Sequence, residues 1–157
     1  MPPSYRERLR LEGAVLAACG ATACAALLIL VPDARENAMS TIGQLAFVGL
    51  LCTLLGPILA RRWTGRAEQA PTETTGDPTP LWQLPLITAG LALLVALPTG
   101  SWDAGLRVTG GCLLVGLTQA GLMAPLVGRD ERRRGRRYVR LPGSSLFTGT
   151  RLGYSET

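Results

Sequence analysis

The chain has 157 residues, of which 47% are apolar and only 17% are charged, and its formal net charge is +5. Most of the charge lies between four long apolar stretches, a pattern that excludes an ordinary soluble globule and a disordered chain. The sequence contains no histidine, and it lacks the nucleophile-elbow, zinc-protease, phosphate-loop and dinucleotide motifs. We therefore predict a protein that is not an enzyme and that has no cofactor and no metal site.

The four apolar stretches are long enough to be transmembrane helices. At about 1.5 Å per residue each covers roughly 25 to 33 Å, close to the ~30 Å hydrocarbon core of a bilayer. Too little chain is left over to bury four such helices in a soluble fold. The prediction is an all-α polytopic membrane protein with four transmembrane helices, arranged as two antiparallel hairpins. The stretches are residues 11–31, 41–60, 81–97 and 106–127.

These stretches divide the chain into five segments. The first stretch follows a basic tail, as a signal peptide would, but its apolar run continues well past Cys19 without a cleavage site, so we predict a retained helix. The central linker is rich in Pro, Thr and Glu and has no periodicity. The predicted segments are an N-terminal tail (1–10), a first hairpin (11–60), a linker (61–80), a second hairpin (81–127) and an arginine-rich C-terminal tail (128–157).

The positions of arginine predict the orientation of the chain. All sixteen basic residues are arginine, and fourteen of them lie in the two tails and the linker. The two remaining connections hold only Arg35 and Arg107. The positive-inside rule therefore places both termini in the cytoplasm and the multi-pass chain in the inner (plasma) membrane of a bacterium.

The two predicted hairpins resemble each other in sequence. Residues 25–32 align with 91–98, and residues 54–61 align with 122–129, so that Pro57 matches Pro125. This likeness indicates a parallel internal repeat, packed about a pseudo-twofold axis along the membrane normal. Chance alignment of leucine-rich segments is the alternative. Both prolines should bend the ends of their helices.

Small residues recur at i+4 spacing in the first and fourth stretches. Helices in lipid associate where small side chains allow their backbones to approach closely. These faces are therefore predicted either to meet inside the bundle or to bind another membrane protein. The residues of the predicted packing or partner face are Ala14, Ala18, Thr22, Cys112, Gly116, Ala120 and Ala124.

The polar residues within the stretches are uncharged. Transport of protons or metal ions usually needs ionisable groups at depth, so neither is expected here. Gln119 lies near the predicted midplane and Gln44 nearer the outside. We expect Gln119 to hydrogen-bond another helix rather than a substrate.

The C-terminal tail carries two predicted binding features. A juxtamembrane arginine cluster is typical of contact with anionic lipid headgroups, and no nucleic-acid-binding fold surrounds it, so no nucleic acid is expected. The predicted headgroup residues are Arg132, Arg133, Arg134, Arg136 and Arg137. Farther along, apolar residues suit docking of an extended segment on a partner. These are Leu146, Phe147, Leu152 and Tyr154.

Because catalytic chemistry is missing and packing faces are present, the sequence favours an accessory or scaffolding subunit of a larger inner-membrane complex. The organisation resembles that of small accessory subunits of actinobacterial respiratory oxidases, without a shared motif and without any residue role to carry over. The alternative is a small homo-oligomeric pore or carrier for a neutral or hydrophobic substrate, lined by Gln44 and Gln119. A membrane-embedded enzyme would need a partner to supply its acid–base groups.

Overall fold

The computed structural model describes residues 4–36, 38–69, 81–141 and 152–156, and most of them are helical. Three short strands accompany the helices, and they are an addition to the predicted all-α class. The helices are α1 (Tyr5–Leu30), α2 (Pro32–Glu36), α3 (Ala38–Thr64), α4 (Gln83–Thr99), α5 (Trp102–Thr118) and α6 (Ala124–Arg134), with a π-helical turn (Gln119–Met123) between the last two. The strands are β1 (Glu68–Gln69), β2 (Arg136–Arg140) and β3 (Leu152–Glu156).

Three of these helical segments are long and apolar enough to cross a membrane, and their length and composition fit the predicted membrane-protein class. They are α1, the Ala38–Arg62 part of α3, and the continuous helix Trp102–Arg134 formed by α5, the π-helical turn and α6. Helix α4 is also apolar, but it is shorter, with 17 residues.

Helix α1 begins before the apolar stretch because a capping box stops it from fraying. The Ser4 side chain accepts a hydrogen bond from the Glu7 backbone N–H at 3.3 Å, and the Ser4 N–H donates to the Glu7 carboxylate at 2.9 Å. Together these bonds satisfy two donors that a helix start would otherwise leave open. The Ser-x-x-Glu spacing is visible in the sequence, so this earlier start was predictable.

Helix α5 is the centre of the bundle. Helix α1 runs antiparallel to it, since Gly13 lies against Gly116 and Gly20 lies against Thr109. A side-chain carbon added at Gly20 would come within 2.8 Å of the Thr109 carbonyl oxygen, and one added at Gly13 within 2.7 Å of the Gly116 oxygen. Only glycine allows the two backbones to approach this closely.

Helices α3 and α4 pack on other sides of the same long helix. Helix α3 runs parallel to it, because Gly49 faces Leu114 and, farther along, Gly56 faces Leu122. Helix α4 returns antiparallel, with Ala96 close to Gly105. Helices that follow each other in the chain therefore alternate in direction, as the predicted hairpins require.

The contacts do not have the symmetry that a duplication predicts. Helix α5 packs on α1, α3 and α4, whereas its counterpart α3 packs mainly on the long helix. Among the described residues, α3 has no comparable contact with α1 or α4. In the described part of the chain, the α1–α5 contact therefore has no α3–α4 counterpart, which a pseudo-twofold axis would require.

The π-helical turn precedes Pro125 in the long helix. A proline ring collides with the carbonyl four residues earlier and supplies no N–H. A wider helical turn moves that carbonyl away from the ring. The widening is seen in the hydrogen bond from the Ala124 N–H to the Gln119 oxygen, which lies five residues back instead of four. The backbone irregularity expected from Pro125 is thus a wide turn over Gln119–Met123.

Polar contacts tie the helices together at the end of the bundle that holds α2. The Thr41 hydroxyl donates to the Asp103 carboxylate at 2.9 Å, which links α3 to α5. Arg107 forms an ion pair with the other oxygen of the same carboxylate at 2.6 Å. Arg35 donates to the Leu28 carbonyl at 2.9 Å and so caps the end of α1.

The opposite end, here called the sheet end, holds the core of the described structure. The three strands form one sheet in the order β1-β3-β2, with β3 parallel to β1 and antiparallel to β2. The start of α1, the end of α3 and the C-terminal strands therefore meet at one end of the bundle. The buried cluster there consists of Tyr5, Leu9, Ala60, Met123, Ala124, Val127, Tyr138 and Leu152.

The α1–α5 contact leads to a prediction with a matched control on the same helix. Gly116→Ala should destabilise the protein by about 1 to 3 kcal/mol, because the new methyl group collides with the backbone of Gly13 and Ala17. Gly111→Ala should be neutral or slightly stabilising, since nothing lies within 4 Å of its added carbon and alanine favours helix. Thermal unfolding in mild detergent, followed by circular dichroism, measures both. Equal midpoints for the two variants would contradict the close contact.

Candidate functional site at the arginine-rich sheet end

Tyr138 is the anchor of the sheet end. Its side chain is fully buried, its hydroxyl donates to the Asp130 carboxylate at 2.7 Å, and its backbone N–H donates to the Glu131 carboxylate at 3.1 Å. Burial, followed by the hydrogen bond to Asp130 and the charge of that carboxylate, raises the pKa of Tyr138 to about 12. One residue thus fastens β2 back onto the last turns of α6.

Part of the C-terminal tail docks on the chain itself. Leu152 is buried in the cluster of the sheet end, and Tyr154 is half-buried directly across from Tyr138. The Arg136 guanidinium lies 4.1 Å from the centre of the Tyr154 ring, a cation–π contact. Of the four predicted docking residues, these two find their partner within this chain. Leu146 and Phe147 lie outside the described residues.

The predicted headgroup arginines do not form one uniform patch. Arg132, Arg133 and Arg134 are exposed at the end of α6, whereas Arg136 and Arg137 are half-buried in β2. The Arg134 guanidinium also pairs with Asp130 at 3.1 Å. Their contact with lipid stays a prediction.

A cavity of about 190 Å³ lies between the ends of α3 and α6. No sequence pattern indicates this cavity, since its walls come from segments more than 60 residues apart. The same spacing of lining positions recurs on both helices, and it places one helix face of each against the cavity. Helix α3 contributes Pro57, Ala60, Arg61 and Thr64, and helix α6 contributes Leu126, Arg129, Asp130 and Arg133.

The predicted small-residue face divides into two in the structure. Gly116 and Ala120 lie against α1, where Gly13 and Ala17 meet them. Ala124 is fully buried at the sheet end and Cys112 is half-buried. The three predicted residues of α1, in contrast, are exposed. They are Ala14, Ala18 and Thr22.

The exposed side of α1 differs in composition from the exposed sides of other helices. Between positions 14 and 26, every exposed residue of α1 is alanine or threonine. Helix α3 instead exposes large side chains such as Phe47, Leu54 and Ile58. We call the exposed residues of α1 the alanine face. It consists of Ala14, Ala18, Ala21, Thr22, Ala25 and Ala26.

The two glutamines predicted within the membrane lie apart. Gln119 opens the π-helical turn beside Gly13, whereas Gln44 is exposed on α3. The facing pairs of α3 and α5 place Gln119 level with residue 53, about 14 Å along the helix axis from Gln44. The threonines at similar depth bond to their own helices, as in the 2.9 Å bond from the Thr22 hydroxyl to the Ala18 carbonyl.

Cysteine and acidic side chains, the residue types that could serve metal or redox chemistry, occur in the described part of the chain. Four cysteines lie half-buried there and form no disulfide. The described residues contain no group of three or more His, Cys, Asp or Glu side chains that could hold a metal ion.

In comparisons with known proteins, no family model, no curated protein and no solved structure matches this chain. The organisational likeness to respiratory-oxidase accessory subunits gains no support from these comparisons. The function of this chain is therefore inferred from its own geometry.

The raised pKa of Tyr138 predicts how stability changes with pH. An unfolded tyrosine releases its proton near pH 10, whereas folded Tyr138 keeps it until about pH 12. Its stabilising contribution is therefore complete below pH 10 and is lost as the pH rises toward 12. The chain contains neither lysine nor histidine, so neither residue type contributes to the change of stability in this range.

Thermal unfolding in detergent between pH 8 and pH 12 tests this expectation. At pH 8, Tyr138→Phe should be less stable by about 1 kcal/mol, because Asp130 loses a hydrogen-bond donor. Above pH 10 the variant should lose less additional stability than the wild type. Tyr154→Phe, at the facing position of β3, is the control for the loss of one tyrosine hydroxyl from the sheet. A Tyr138→Phe profile parallel to that of the wild type would contradict the assignment.

Proposed function

We propose that the protein is an accessory or scaffolding subunit of a larger inner-membrane complex, and that it binds its partner through the alanine face of α1. The supporting observation is that α1 has two sides rich in small residues, of which α5 covers only one. Large apolar side chains suit contact with lipid tails, whereas small ones suit contact with another helix. The alanine face is an exposed surface of small side chains, so it suits contact with another helix.

We also propose that α4 is a fourth membrane span and that the sheet end lies in the cytoplasm. At about 1.5 Å per residue, its 17 residues cover roughly 25 Å, which is near the thickness of the hydrocarbon core. Helix α4 also runs beside α1 and α5 in the bundle. The excess of arginine in the tails and the linker supports a cytoplasmic position for that end.

The alternative function, a homo-oligomeric pore or carrier, has less support. It relies on Gln44 and Gln119 lining one path, and about 14 Å along the helix axis separates them. Gln119 lies beside Gly13 of α1, whereas Gln44 lies on the exposed side of α3. The two glutamines therefore do not line one surface.

Cysteine labelling tests the proposed topology at the two ends of α4. In a chain whose four cysteines are replaced by alanine, Thr99→Cys should react with a membrane-impermeant maleimide in intact cells. Trp82→Cys and Arg132→Cys should react only after the membrane is permeabilised. All three positions, including Thr99, are exposed in the structure. If Trp82→Cys and Thr99→Cys label from the same side, α4 does not cross the membrane.

Photocrosslinking in native membranes tests the proposed partner surface. A photoreactive amino acid at Ala18 or Ala25 should crosslink to a different membrane protein, which mass spectrometry then identifies. The same amino acid at Ala46, an exposed position on α3, is the matched control and should give lipid adducts only. Ala18→Leu combined with Ala25→Leu should also release the partner from the extracted chain, because bulky side chains prevent close helix approach.

Three results would contradict the proposal. Equal crosslinking from Ala18 and Ala46 would mean that the alanine face is not special. The absence of any protein crosslink would mean that it faces lipid. Crosslinks exclusively to a second copy of this chain would favour the homo-oligomer of the alternative function, and flux assays would then be appropriate.

A further inference from the structure

The cavity between α3 and α6 has one apolar side and one cationic side. Pro57 and Leu126 line it toward the middle of the bundle, and three arginines line it toward the sheet end. The cationic residues are Arg61, Arg129 and Arg133. Because α3 and α6 run in the same direction, the arginines of both helices gather at the same level.

The positive charge of this cavity is not neutralised from within. Its single carboxylate, Asp130, already accepts a hydrogen bond from Tyr138 on one oxygen and pairs with Arg134 through the other. Among the residues that the structure describes, no ion pair is found for any of the three lining guanidiniums. Three arginines therefore face one carboxylate whose two oxygens are both engaged.

This arrangement has the chemistry of a phosphate-binding site. A guanidinium offers paired N–H donors in a planar fork that fits phosphate oxygens, and several forks around one cavity hold a phosphate from different directions. The Thr64 hydroxyl, also at the cavity, donates its proton to the Ala60 carbonyl, so the arginines are the donors that would hold a phosphate there.

We propose that this cavity binds the headgroup of an anionic phospholipid, with its phosphate between Arg61 and Arg129 and its glycerol and upper acyl carbons against Pro57 and Leu126. The polarity of the cavity favours a lipid over free phosphate, because its apolar side lies where acyl chains begin. The proposal relies on the membrane location of the bundle, but it is independent of the partner proposed for α1.

The site differs from the headgroup cluster that the sequence indicates. That cluster runs along the end of α6 and into β2, whereas the cavity needs Arg61 from another helix and shares only Arg133 with the cluster. The cluster attracts an anionic membrane surface but has no defined position for a single lipid. The cavity holds a single headgroup at a defined position between two helices.

Lipid binding to the purified, delipidated full-length chain tests the proposal. Native mass spectrometry would follow titration with phosphatidylglycerol, and phosphatidylcholine would serve as the zwitterionic comparison. The variant Arg61→Gln/Arg129→Gln removes two lining arginines. The control Arg62→Gln/Arg66→Gln removes the same charge from the end of α3 and the turn after it, at positions that neither line the cavity nor belong to the headgroup cluster.

We expect one phosphatidylglycerol to bind well before the others, and the first variant to weaken that step by at least about tenfold. The control variant should weaken it by less than about threefold. Circular dichroism should give the same helix content for both variants, so that a loss of binding reports the site rather than unfolding.

Three outcomes would overturn the proposal. Equal weakening in both double variants would mean that binding follows net charge and not the cavity. Equal affinity for phosphatidylcholine would exclude selection of an anionic headgroup. Displacement of phosphatidylglycerol by millimolar inorganic phosphate alone would assign the cavity to a free anion. Because the partner of α1 is absent from this experiment, its outcome does not depend on the crosslinking result.

Discussion

The close contact between the backbones of α1 and α5 is the constraint on which the rest of the structure depends. Gly13, Gly20 and Gly116 bring carbonyl oxygens of one helix against backbone atoms of the other. Lipid tails are as apolar as leucine, so burial of apolar surface does not favour helix association in a membrane, and van der Waals packing must supply the attraction. Small residues at these positions make that packing dense.

The antiparallel direction of this contact determines what gathers at the sheet end. It brings the start of α1, with Tyr5 and Leu9, to the level where α6 ends and β2 begins. A core then forms between segments that are far apart in sequence. Tyr138 and Leu152 close this core from the C-terminal side. The three-stranded sheet therefore depends on helix packing, because β1 and β3 are far apart in sequence and the packed helices bring them to one end of the bundle.

The proposed functions of this molecule are located on its surfaces. Most threonines within the helices bond to the backbone of their own helix, and the described arginines lie near the ends of the helices. What the bundle offers instead is a pair of surfaces with different chemistry. The alanine face of α1 suits another helix, and the cavity between Arg61 and Arg129 suits an anionic headgroup. A subunit that anchors a complex in the membrane would use surfaces of both kinds.

The sequence by itself determined the helical membrane class, the positions of the long apolar helices to within a few turns, and the gathering of arginine in the tails and the linker. These properties depend on local composition and length, which the sequence displays directly. The apolar stretches have no polar side, however, and small residues occur around most of α1. Periodicity therefore could not decide that Gly13 and Gly20 turn toward α5 while Ala14 and Ala18 turn away.

Only the tertiary structure decided the central place of α5, the sheet and the cavity. The strand pairing joins residues 68–69 to residues 153–154, and the cavity joins Arg61 to Arg129. Contacts at such separations leave no local pattern, because each segment alone reads as an ordinary loop or helix end. These contacts form because the packing of the helices brings the ends of α3 and α6 and the strands to the same end of the bundle.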